Sequence, residues 1–95
     1  MKIVVLYTME GCPFCTMIKE ELNKKNIYFL DRDIDEHEDE FNEFISETGS
    51  DYVPSMILMT LDENQEPQNV KFLAPDRDYN DIHEGVALAE KYILD

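Results

Sequence analysis

Cys12 and Cys15 are the two cysteines of the chain, set in the run Cys12-Pro13-Phe14-Cys15. Two thiols at this spacing can close and reopen as a two-electron couple, and the thiolate form is the nucleophile in that exchange. A purely structural disulfide around so small a loop adds little, because loop-closure stabilisation grows with loop length. A zinc or iron–sulfur site needs about four ligands, and His37 and His83 could complete one only at spacings unlike a zinc module. A copper-carrier loop uses a similar pair, but a soft-metal site gains nothing from Pro13 and Phe14 between its ligands. The alternating Asp31, Asp33 and Asp35 resemble the start of a calcium loop, yet Glu36 stands at its sixth position and Asn42 at its twelfth. Redox chemistry is the reading kept. A metal-binding module of the iron–sulfur or copper type, shared between two chains, stays open as an alternative of another class.

Elements must position these thiols. Ile3 to Tyr7 is a short apolar, β-branched run that reads as a strand buried on both faces, and Glu10-Gly11 reads as a turn. Phe14, Met17, Ile18 and Leu22 recur at helical spacing, and Asn23 to Asn26 marks the helix end. Pro13 suits the first helical position, which makes Cys12 the N-cap. From there its sulfur can accept from the free amides of Phe14 and Cys15 while facing roughly half a positive charge from the helix dipole. Both effects favour the thiolate, so Cys12 is the expected attacking residue and Cys15, one turn inward, the resolving one.

Ile27 to Leu30 reads as a second strand, parallel to the first through a right-handed crossover. A second helix carries Phe41, Phe44 and Ile45 and stops at Gly49. Met56 to Leu61 and Val70 to Leu73 are expected to pair as a hairpin across Asp62 to Gln65. Pro75-Asp76 is expected to open a last helix with Ile82, Val86, Ala89 and Ile93 on one face. Met56, Met59, Phe41 and Phe44 read as core, and His37 and His83 as exposed helix residues.

The segment Tyr7 to Cys15 resembles the active-site strand and turn of glutaredoxins, whose motif is Cys-Pro-Tyr-Cys or Cys-Pro-Phe-Cys. Tyr52-Val53-Pro54 resembles their Thr-Val-Pro loop. The resemblance implies a thioredoxin-like α/β fold with a four-stranded mixed sheet in order 2-1-3-4 and three helices. It also implies a cis Val53-Pro54 bond, which would leave the Val53 backbone free to pair like a strand with glutathione or a substrate peptide. Thiol–disulfide exchange is the implied activity. No bound metal or organic cofactor is implied; glutathione would be a co-substrate, and protein disulfides, ribonucleotide reductase among them, the substrates.

Departures from the family pattern are as specific as the matches. Met9 stands where glutaredoxins usually carry a cation, three residues before the nucleophile. Leu73 to Arg77 replaces the Gly-Gly-x-Asp that holds the γ-glutamyl end of glutathione. The remaining anchors are the Val53 backbone, the surfaces of Phe14 and Tyr52, the helix start near Asp76, and Arg77 as a carboxylate clamp. Weak glutathione binding is the expectation. The Pro-Asp helix start is closer to glutaredoxin-like redoxins that serve ribonucleotide reductase and are recharged by thioredoxin reductase, although those usually lack a proline at the position of Pro13.

Composition bounds the rest. With 95 residues, 43% of them hydrophobic, there is room for one domain with a real core. The 22 acidic against 8 basic residues give a formal charge of -14, which repels nucleic-acid phosphates and anionic membranes. No apolar run approaches the ~20 residues of a membrane span, and the first one is too short for a signal-peptide core. A monomer in the reducing cytoplasm is the expectation.

Overall fold

The structure is a computed structural model describing residues 1–95. Its elements run β1 (Lys2–Thr8), α1 (Pro13–Lys24), β2 (Phe29–Asp33), α2 (Glu38–Thr48), β3 (Ser55–Leu61), β4 (Pro67–Leu73) and α3 (Ile82–Leu94). The four strands form one sheet in the order β2-β1-β3-β4. β1 runs parallel to β2 and antiparallel to β3, and β3 pairs antiparallel with β4. This is the thioredoxin-like arrangement expected from the resemblance.

β1 is central, and side chains alternate across a strand, so it feeds both faces of the sheet. Val4 and Leu6 pack with Ile18 and Leu22 of α1 and Ile82, Val86 and Ala89 of α3. Ile3, Val5 and Tyr7 pack on the other face with Phe41 and Phe44 of α2. Met56, Phe41 and Phe44 are buried and Met59 packs partly buried against the second cluster, in keeping with core roles.

Four local readings are corrected. The buried stripe of α1 is Cys15, Ile18 and Leu22, whereas Phe14 and Met17 face outward, 59% and 43% exposed. Ile27 does not open β2. It ends α1 instead: Asn26 adopts φ 58°, its amide donates to Asn23, and the Ile27 amide donates to Leu22. That is a Schellman cap, in which an apolar residue just past the left-handed position folds back on the helix, and it shifts β2 to Phe29–Asp33.

The third correction concerns α3, which does not start at Pro75-Asp76. Asp76 lies at φ 64°, outside the helical region, and the Asp78 carboxylate accepts from the Ala74 amide at 2.8 Å, closing a turn. Asp81 is the N-cap, accepting from the Glu84 amide at 2.9 Å, and Glu84 reaches back to the Asn80 amide at 3.3 Å. A capping pattern three residues long outcompetes the Pro-Asp signal. His37 is likewise the N-cap of α2 rather than a residue inside it, and the first-turn acids Glu38, Asp39 and Glu40 suit the positive end of that helix.

Candidate active site

The chain turns sharply between β1 and α1. Gly11 takes φ 77° there, a left-handed conformation that a side chain would strain. The next residue, Cys12, is the N-cap of α1 with Pro13 at the first helical position. Its sulfur accepts from the Cys15 amide at 3.1 Å; the Phe14 amide, expected as a second donor, makes no such bond. The two cysteines are joined as a disulfide, their Cα atoms 5.2 Å apart. Their surroundings differ. Cys12 is half-buried, while Cys15 is only 2% exposed. An accessible sulfur at a helix N-terminus, with its partner sheltered one turn inward, is the asymmetry that separates an attacking from a resolving thiol.

The Val53-Pro54 bond is cis. The amide and carbonyl of Val53 make no hydrogen bond within the chain, so both are available to an extended peptide. Two contacts hold this loop that sequence reading missed. Ser55 Oγ donates to the Tyr52 carbonyl, and the buried Tyr79 hydroxyl donates to the Pro54 carbonyl. Burial first, and then the neighbouring Asp78 carboxylate, push the Tyr79 hydroxyl well above the usual tyrosine range, so it stays a donor. The Tyr79 ring lies against Gly85 of α3, where a Cβ would sit 3.1 Å from two ring carbons. Only the missing side chain lets this ring approach the helix.

Phe14 and Met17 of α1, the loop Tyr52-Val53-Pro54, and the segment from Pro75 to His83 enclose a groove of about 350 Å³. Phe14, Tyr52, Val53, Pro54 and Asp76, all named from sequence, are thereby brought together. Met17, Tyr79, Asp81 and His83 join them unforeseen. Met17 enters because the buried stripe of α1 is Cys15, Ile18 and Leu22, which turns Met17 outward with Phe14. Tyr79 and His83 entered because α3 begins later than expected.

Arg77 does not join them. Its Nε pairs with Asp78 at 2.8 Å and its terminal nitrogen donates to the Phe72 carbonyl at 2.9 Å. A neighbouring carboxylate and a strand-end carbonyl claim the guanidinium, and the groove is left with no lysine or arginine in its lining. The helix-start amides expected near Asp76 belong to the Asp81 region, where the chain's own carboxylate already takes the Glu84 amide. Met9, 45% exposed beside Glu10, adds no charge.

No group of three or more His, Cys, Asp and Glu side chains is arranged to hold a metal ion, and no helix is long and apolar enough to cross a membrane.

Comparison with known proteins agrees with this geometry. The family model "Glutaredoxin" matches residues 4–58, which span β1 through most of β3 with both cysteines and the Val53-Pro54 loop. Among solved structures, one described as "Structure of a malarial protein" is 24% identical with a TM-score of 0.54, covering 97% of each chain. Oxidised mitochondrial thioredoxin 3 from Saccharomyces cerevisiae is 16% identical with a TM-score of 0.53, covering 97% of this chain and 76% of its own. At such identities the likeness is one of fold. No curated protein matches the chain. A redox-active cysteine pair at the start of α1, a cis-proline loop beside it and a family match over more than half the sequence lead to one conclusion: the chain belongs to the glutaredoxin family and is a thiol–disulfide oxidoreductase.

Proposed function

We propose that this protein is a dithiol glutaredoxin that reduces protein disulfides and glutathione mixed disulfides, with glutathione as co-substrate and no resident metal or organic cofactor. The observation that carries the reading is the unequal placement of Cys12 and Cys15 at the α1 N-terminus. In the reduced protein the Cys12 thiolate attacks one sulfur of the substrate disulfide. The Cys12–substrate bond forms and the first substrate thiolate leaves. Cys15 then gives up its proton and attacks the Cys12 sulfur, releasing the second thiolate and leaving the Cys12–Cys15 disulfide. The substrate gains two electrons and the protein loses two. For a glutathione mixed disulfide, free glutathione can replace Cys15 as the second nucleophile. A monomer in a reducing compartment completes the proposal.

The cation-free groove supports a second reading, a glutaredoxin-like redoxin recharged by thioredoxin reductase and donating electrons to ribonucleotide reductase. With Arg77 held by Asp78 and Phe72, and α3 capped by Asp81, little is left to grip the glutathione carboxylates.

One assay separates the readings. A mixed disulfide is reduced with NADPH and either glutathione plus glutathione reductase or thioredoxin reductase, and NADPH consumption is followed. Turnover through glutathione supports the first reading; turnover through thioredoxin reductase alone supports the second. Cys12→Ser should abolish turnover in either arm, whereas Cys15→Ser should retain reduction of glutathione mixed disulfides and lose most reduction of protein disulfides. Equal residual activity in the two variants would remove the assigned roles.

A further inference from the structure

The groove lined by Phe14, the residue between Pro13 and Cys15, has a consistent electrical sign. Its charged lining consists of Asp76 and Asp81, with His83 as its imidazole and no lysine or arginine. Asp76 is exposed, and its carboxylate makes no hydrogen bond or ion pair within the chain. The one nearby guanidinium and part of the α3 start are taken up by the chain's own groups. Arg77 is paired with Asp78 and the Phe72 carbonyl. The α3 N-terminus is capped by Asp81, and the amide before it is taken by Glu84. Asp51, the residue before Tyr52 in the chain, is also exposed. The floor is apolar, with Phe14, Met17, Val53, Pro54 and Ile82, and the Val53 amide and carbonyl lie free at its edge.

We infer that the preferred substrate of this groove is an extended peptide disulfide carrying lysine or arginine within a few residues of the attacked cysteine, with Asp76 as the specificity-determining residue. The inference rests on the proposed disulfide-reductase function and deepens it from disulfides in general to basic ones. The free Val53 backbone aligns the peptide, the apolar floor accepts its side chains, and the carboxylate rim selects the sign of its charge. Carboxylates at the rim act on encounter and orientation, so the preference is read in kcat/KM and weakens with salt. The overall charge of -14 adds a long-range attraction of the same sign.

The test uses the full chain, reduced beforehand and freed of reductant, in single-turnover reactions. Its substrates are two peptide disulfides identical except for two lysines or two glutamates flanking the cysteine, and the uncharged bis(2-hydroxyethyl) disulfide. The lysine peptide should react roughly tenfold faster or more at low ionic strength, and that ratio should shrink several-fold in 0.5 M salt. Asp76→Asn should lower the ratio by about threefold. Glu47→Gln, a carboxylate on α2 at the opposite face of the sheet, should leave it unchanged. Equal rates for the two peptides, with the uncharged disulfide still reduced, would overturn the charge selection and leave the oxidoreductase intact. An equal effect of Glu47→Gln would overturn the role of Asp76 and assign the preference to net charge. No reduction of the uncharged disulfide would remove the proposed function and this inference with it.

Discussion

At the scale of single residues, the chemistry depends on how the Cys12 sulfur is held as an anion. One backbone amide, from Cys15, and the α1 dipole are its support, since Met9 is uncharged and Glu10 is acidic. Introducing a cation by Met9→Lys should lower the Cys12 thiol pKa, by about one unit or somewhat less because position 9 is 45% exposed. Thiolate absorbance against pH measures it. An unchanged value would mean that the side chain at position 9 points away from the sulfur. The cysteine pair itself was legible from sequence because a proline between two cysteines after a strand leaves few local conformations. Arg77 was misjudged for a reason sequence does not display. Which acceptor a guanidinium takes depends on the turn geometry that brings Asp78 and the Phe72 carbonyl to it.

Elements hold the substrate side of the site through a contact no motif announces. The Tyr79 hydroxyl fixes the Pro54 carbonyl, and its ring is pinned against Gly85. Elsewhere in a helix, Gly→Ala gains up to ~1 kcal/mol from propensity. Here the added Cβ meets a ring that cannot retreat without breaking its hydrogen bond, so Gly85→Ala should instead cost about 1–2 kcal/mol. Tyr79→Phe removes the buried bond and should cost a similar ~1–2 kcal/mol. With the ring released, Gly85→Ala should cost less in the Tyr79→Phe background, and a double-mutant cycle by urea denaturation would show that coupling. Additive effects would refute the linkage. The strands and helices were mostly legible, with their ends less so. Ile27 looked like a strand residue because an apolar residue in a Schellman cap and one opening a strand share a local pattern, and only the left-handed Asn26 distinguishes them. The α3 start was misplaced because Pro75-Asp76 and Asp81-Ile82-His83-Glu84 are both helix-opening sequences, and Asp76 at φ 64° decides between them.

The whole molecule carries far more negative than positive charge, and a few ion pairs tie its elements together. Asp31 of β2 pairs with Lys19 of α1 at 2.7 Å and accepts from Thr8 of β1 at 2.7 Å. Burial opposes its ionisation, but the hydrogen bonds from Lys19 and Thr8 outweigh it and hold the carboxyl below the usual aspartate range. A carboxyl with a depressed folded-state pKa stabilises the fold above its unfolded value, and that contribution disappears as pH falls from about 4 downward. Asp31→Asn should therefore lower stability at pH 7 by under ~1 kcal/mol, the pair being partly exposed, with the difference from wild type vanishing near pH 2. Thermal melts across pH would show it, and a constant difference at all pH values would contradict the ion-pair assignment. The β1–β2 and β3–β4 pairings were legible from the crossover and the hairpin turn, but the β1–β3 pairing that completes the sheet order came only through the family resemblance, because the periodicity of short strands does not specify it. The acidic balance was plain from composition, but the pairing of Asp76 and Asp81 with an apolar groove that holds no lysine or arginine emerged only when folding brought residues 14, 52 and 76–83 together.

Alkylation of the reduced protein would show whether the fold makes Cys12 the attacking thiol and Cys15 the sheltered one. Iodoacetamide would be applied across pH 4–9 and the modified peptides identified by mass spectrometry. The predicted result is modification of Cys12 with an apparent pKa below the ~8.5 of a free cysteine, and little or none of Cys15. Equal modification of both residues, or modification of Cys15 first, would contradict it.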